Sequence, residues 1–169
     1  MKKIIIFNIC ILFSFSAFSQ KGNNQLFSEY EDTLKVIAER VMNLPLEAEK
    51  RIANDALIEY LSEVLLYEKS FNYNFDSLIT ISRLKSPDKT FRIFNWLLKK
   101  DNNTYEYYGI VHYYNKKKKK YELITLIDNS NNIRTPEQEN LDATNWYGGL
   151  IYDIIYIKKP GKKYYTLLL

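Results

Sequence analysis

The chain has 169 residues, 24 Lys plus Arg against 20 Asp plus Glu for a net charge of +4, and is 46% hydrophobic and 15% aromatic. That is enough chain for one globular domain and short of two. The composition excludes collagen-like, disulfide-scaffold and wholly disordered chains, and the near balance of charge does not support electrostatic attraction to nucleic acid.

Lys2 and Lys3 are followed by an apolar stretch over residues 4–18, broken only by Asn8, Ser14 and Ser16, and Ala17-Phe18-Ser19 puts small residues at the two positions a signal peptidase reads. This predicts a secretory signal peptide over residues 1–19, cut between Ser19 and Gln20, and an exported protein of the periplasm or extracellular space. The stretch falls short of the roughly 20 apolar residues that cross a bilayer, so the mature chain is not expected to span a membrane. Cys10 sits in it without the small preceding residue that lipoprotein processing needs. As the only cysteine, it leaves with the leader, and the mature chain then has no disulfide, thiolate metal ligand or cysteine nucleophile. Two lysines leave as well, and the net charge falls to +2.

A polar lead over 20–24 precedes Leu26, Phe27, Tyr30, Leu34, Ile37, Ala38 and Val41, whose three- and four-residue spacing predicts an amphipathic helix. Pro45 suits the first turn of a second helix with Ile52, Ala56, Leu57, Tyr60, Leu61, Val64 and Leu65 as its stripe, so residues 20–70 read as a helical hairpin. From 71 to 169 the helical spacing gives way to short runs of Ile, Phe, Tyr and Thr between turn formers. These predict strands at 78–85, 90–99, 104–114, 121–128, 150–158 and 163–169. Their connections are mostly too short for crossover helices, which makes the sheet mostly antiparallel. The fold class is α+β: an N-terminal helical hairpin packed on a meandering sheet of five to six strands, all in one domain.

Both parities of several strands are apolar, as with Tyr105, Tyr107, Val111 and Tyr113 against Tyr108, Ile110, His112 and Tyr114. Two helices cover one face of a sheet. The other face is therefore expected to close into a barrel, meet a partner, or be covered by residues beyond this chain. Because the chain stops on the apolar run Tyr164-Tyr165-Thr166-Leu167-Leu168-Leu169, a C-terminal truncation is the expectation.

The candidates for chemistry are few. Asp128, Ser130, Asn132 and Glu139 stand at positions 1, 3, 5 and 12 of a calcium-type loop, but Ile133 occupies the position where the sharp turn wants Gly. Asp/Asn/Ser clusters also build ordinary turns, so these are metal candidates against a reading with no metal. Glu106, Glu122, Asp128 and Asp153 could supply paired carboxylates for acid–base work. His112, the only histidine, reads as a core or sheet residue, and no G-x-S-x-G elbow accompanies it. No nucleotide cradle exists among the five glycines, and no cofactor is expected. The five consecutive lysines from Lys116 to Lys120 read as a solvated hairpin tip rather than an anion-binding tract. Fifteen tyrosines and two tryptophans could form an aromatic face for a protein or glycan partner, while cross-strand packing explains the same residues.

At Phe91-Arg92-Ile93-Phe94-Asn95-Trp96, Tyr108-Gly109-Ile110-Val111, Trp146-Tyr147-Gly148-Gly149-Leu150-Ile151-Tyr152 and Lys163-Tyr164-Tyr165-Thr166-Leu167-Leu168, the chain resembles a group of uncharacterised exported proteins of Bacteroidota. The resemblance covers residues 78–168 and implies export without implying an activity. Members of that group continue past the Tyr-Tyr-Thr-Leu-Leu segment, usually with Gly where this chain has Leu169. Asp32-Thr33-Leu34 and Asp76-Ser77-Leu78 also resemble the O-glycosylation acceptor pattern of that phylum. Together these features predict an exported, non-enzymatic binding or structural module. The alternative is a secreted hydrolase using paired carboxylates.

Overall fold

The structure, a computed structural model, describes residues 2–136 and 141–169, with side chains described for residue 22 and from residue 24 onward. No proline interrupts residues 2–43, and that stretch forms one helix, α1 (Lys2–Asn43). The polar lead expected at 20–24 is part of it, since Gln, Lys and Asn cost a helix only tenths of a kcal/mol each and the single Gly22 about 1 kcal/mol. Among the described residues no helix is long and apolar enough to cross a membrane.

The second helix, α2 (Glu47–Leu66), starts after Leu46, whose backbone is extended. Pro45 therefore lies just outside the helix rather than in its first turn. Glu47 and Glu49 in the first turn complement the positive end of the helix dipole. The α1 stripe is buried as its spacing demands at Phe27, Leu34, Ala38 and Val41, with Leu26 left 39% exposed. On α2 the buried set is Lys50, Ala53, Asn54, Leu57, Leu61, Val64 and Leu65. Ile52, expected on that stripe, is 72% exposed. At about 100° per residue it stands roughly 140° around the helix from Leu57, so both cannot face the sheet.

A 3₁₀ turn over Glu68–Asn72 leads into the sheet region. Four antiparallel strands, β1 (Ser82–Lys85), β2 (Phe91–Lys99), β3 (Tyr105–Asn115) and β4 (Lys120–Ile127), form one meander in the order β1-β2-β3-β4. A hairpin of β5 (Asp153–Lys159) and β6 (Lys162–Leu168) makes a separate two-stranded sheet. The six expected strands are all present, divided between two sheets instead of one. The first is shorter than expected, because residues 78–81 form hydrogen-bonded turns that bury Leu78 and Ile81.

Strand alternation then sorts the core into two layers. Phe94, Trp96, Leu98 and Ile110 face the helices and meet Leu34, Leu57, Leu61 and Leu65. Trp96 Nε1 donates to Asn54 Oδ1 at 2.8 Å, fixing α2 over β2. Ile93 and Leu126 face the other way and are covered by Trp146, Ile151 and Ile154, with Tyr165 and Leu167 packed alongside. The second face is thus covered by this chain's own C-terminal segments.

The aromatic residues are largely spent on this packing. Phe91 meets Tyr165 at 4.8 Å between ring centroids, Tyr73 meets Phe75 at 4.9 Å, and Phe71 stacks on Tyr121 at 5.1 Å.

Candidate functional site

The calcium-type loop folds as a turn. Asp128 Oδ2 accepts from the Tyr107 N–H and its Oδ1 from the Ser130 N–H, each at 2.9 Å. Asn132 donates its side-chain amide to Asn129 Oδ1. Gly148 lies so close to the Asp128 carboxylate that a side chain there would overlap it. Ile133 is buried, and Glu139 lies outside the described residues. Among the described residues no three His, Cys, Asp or Glu side chains gather as a metal would require.

The four candidate carboxylates are dispersed. Glu106 accepts from Arg51 at 2.9 Å and from the Tyr108 hydroxyl at 2.8 Å. Glu122 pairs across from Tyr113, seven residues further along β3, which is about 23 Å of strand. Hydrogen bonds from Lys118, Asn115 and Tyr113 hold its carboxyl at about 2. Asp128 lies on the opposite sheet face from Glu106, and Asp153 is exposed on β5, accepting its neighbour Ile154's N–H. The lysine run is an exposed hairpin tip, with Lys118 and Lys120 both on Glu122.

Of the two acceptor-like triplets, Thr33 donates its hydroxyl to the Glu29 carbonyl within α1. Ser77 is exposed in a turn whose N–H is held by the buried Glu31.

The feature that stands apart chemically is a cleft between the β1–β2 edge and residues 73–76. The four-residue strand β1 runs Ser-Arg-Leu-Lys, so Ser82 and Leu84 face the C-terminal layer and Arg83 and Lys85 face the helix side. In the register with β2, Lys85 stands directly opposite Arg92, and Arg83 opposite Phe94. Three cations therefore share one face of a hairpin, with Arg92 over the Phe94 ring and Lys85 over the Phe71 ring. They line a cavity of about 160 Å³ together with Asn74, Asp76 and Phe94. Phe75, buried between Asn74 and Asp76, has a left-handed backbone (φ 56°), a conformation that a bulky residue keeps only when its surroundings enforce it.

Arg92 forms the floor. Its guanidinium donates to the Ser70 and Tyr73 carbonyls at 2.7 Å and to His112 Nδ1 at 3.1 Å, and lies 4.8 Å from the Phe94 ring centroid. All of these partners are neutral. Burial pulls its pKa down to about 9, so it stays charged at neutral pH. His112 is fully buried against it, and burial together with the Arg92 charge pushes the imidazole down to about 3. Since Nδ1 accepts from Arg92, the neutral ring carries its proton on Nε2, which has no hydrogen-bond partner. Burial, then Arg92 and Lys89, also lowers the Lys85 ammonium. Arg83 has two buried nitrogens, Nε and Nη1, without any hydrogen-bond partner. The arrangement suits the binding of negative charge.

Sequence reading missed these residues because each cation alone is an ordinary strand residue. The available signal was the Ser86-Pro87-Asp88 turn, since centring a hairpin there brings Lys85 opposite Arg92. The chain matches no protein-family model, no curated protein and no solved structure.

Proposed function

We propose that this protein is an exported, non-enzymatic binding module of the envelope or extracellular space, with a protein or glycan as its partner. The observation that carries binding is the cleft: three cations on a rigid strand pair, beside a cavity, none within 4.0 Å of a carboxylate among the described residues. Like charges set directly across an antiparallel pair destabilise it, so a sheet that keeps them needs compensation from elsewhere. The export reading rests on the basic start, the apolar stretch and Ala17-Phe18-Ser19. The resemblance to exported Bacteroidota proteins points the same way.

Protein recovered from its native host is expected to begin at Gln20 by intact mass. Recovery of the uncleaved chain in the cytoplasm overturns export. Turnover of glycosides or peptides that is lost on Glu106→Gln or Asp153→Asn overturns the non-enzymatic reading.

A further inference from the structure

We infer that the cleft at Arg83, Lys85 and Arg92 binds an oxyanion, the carboxylate, sulfate or phosphate group of its ligand, with Arg83 as the principal contact. This deepens the binding-module reading and rests on it.

The three cations have different amounts of bonding capacity left. Arg92 commits three of its five N–H donors to His112 and two backbone carbonyls, which fix the group in place. It contributes chiefly a fixed charge at the cavity floor. Arg83 is the reverse case: it lines the cavity, none of its guanidinium nitrogens has a hydrogen-bond partner among the described residues, and since Nε and Nη1 are sealed from solvent, Nη2 is the donor that meets an incoming group first. A buried donor left unsatisfied is costly, and more so when the group is charged. An ordered water or an acceptor that arrives from outside relieves that cost, and the neighbouring charges of Lys85 and Arg92 favour an anionic acceptor. Lys85 is exposed at the rim, where its flexible ammonium can close over a bound group. Asn74 adds an amide donor at the same rim.

The cavity, about 160 Å³, equals roughly five water volumes, room for one carboxylate, sulfate or phosphate group with a little water. A longer ligand would extend out into solvent. Asp76, the single carboxylate in the lining, forms no ion pair with Arg83, Lys85 or Arg92. It opposes an incoming anion, and this gives the inference a second, opposite-signed test.

The experiment is thermal unfolding of the full mature chain at constant ionic strength, with chloride replaced stepwise by inorganic phosphate, sulfate or acetate. A saturable rise in Tm with at least one of them is expected. A phosphate or sulfate preference assigns a tetrahedral group, and an acetate preference assigns a carboxylate. Arg83→Gln should raise the apparent Kd about tenfold or more, the equivalent of one charge-assisted hydrogen bond. Lys85→Gln, at an exposed edge position, should weaken binding less and leaves the fold intact. Asp76→Asn should tighten binding by roughly threefold or more.

No saturable shift with any of the three anions overturns the inference, as does an equal shift in wild type, Arg83→Gln and Lys85→Gln. If the protein captures a neutral glycan and ignores all three anions, the oxyanion falls while the binding module stands. Turnover of glycosides or peptides by a protein that passes the anion test has the opposite meaning.

Discussion

Asn95 joins three segments through one buried amide. Its Nδ2 donates to the Tyr108 carbonyl and its Oδ1 accepts from the Ile151 N–H, both at 2.7 Å, while Ser82 donates its hydroxyl to the Ile151 carbonyl. Replacing it by Leu leaves the buried Ile151 N–H without a partner and takes one of two donors from the Tyr108 carbonyl, which keeps its ladder bond with Trp96. The expected loss is about 1–3 kcal/mol, read as a lower urea midpoint at unchanged slope. Asp at this position should also be destabilising, because it accepts but cannot donate. His112 makes a different prediction. Its folded pKa of about 3 lies below the ordinary 6.5, so as pH falls the unfolded chain takes up a proton before the folded one does. Stability is full above pH 6.5 and is lost on acidification toward 3, by at most about 1.4 kcal/mol per pH unit. The carboxylates held low, such as Glu122, act only below the ordinary carboxylate range, so the slope between pH 6.5 and 5 belongs to His112. His112→Gln keeps an acceptor for Arg92 and removes the titration. Unfolding midpoints for that variant should be flat across the same interval.

On the scale of elements, the helical hairpin and all six strands were legible because hydrophobic period is a local signal. The phase of α2 was not. Ile52, Ala56, Leu57 and Leu61 are all apolar, and a stripe that wide admits two neighbouring orientations; only the sheet decides between them. The structure places Leu61 at 0% exposure and Ile52 at 72%. Leu61→Ala should therefore cost about 2–5 kcal/mol, and Ile52→Lys should stay within about 0.5 kcal/mol. Equal losses in a denaturant series would return the helix to the orientation that its sequence suggested. The cleft was illegible for a related reason. Arg83, Lys85 and Arg92 become neighbours only through cross-strand register, and His112 joins them from a third strand. The calcium-type loop shows the converse, since its residues were conspicuous in sequence and the local hydrogen bonds of a turn account for Asp128, Ser130 and Asn132.

The whole molecule is a four-stranded sheet held between a helical hairpin and its own β5–β6 segment, and that second cover is what the sequence reading lacked. Counting two helices against two apolar faces assumed that all six strands lay in one sheet. With β5 and β6 withdrawn from it, they become the covering layer. They are attached by apolar contact at Ile151 and Ile154 and by a polar latch at Asp88. There Lys163 donates at 2.6 Å and Tyr165 at 2.8 Å. Burial works against the charged form of Asp88, but these bonds, with Thr90 and Ser86, hold its carboxyl well below the usual range. A chain ending at Gly148 keeps Trp146 but loses Ile151, Ile154 and the β5–β6 hairpin, and so uncovers much of the apolar surface at Ile93, Val111 and Leu126, a surface of the kind that drives association. It should bind a hydrophobic dye strongly and elute as oligomers, whereas the full chain should bind little. Asp88→Ala should fall between the two, because it releases the latch and leaves the apolar contacts in place. Dye binding by the full chain equal to that of the shortened one would mean that the hairpin does not cover the sheet in solution.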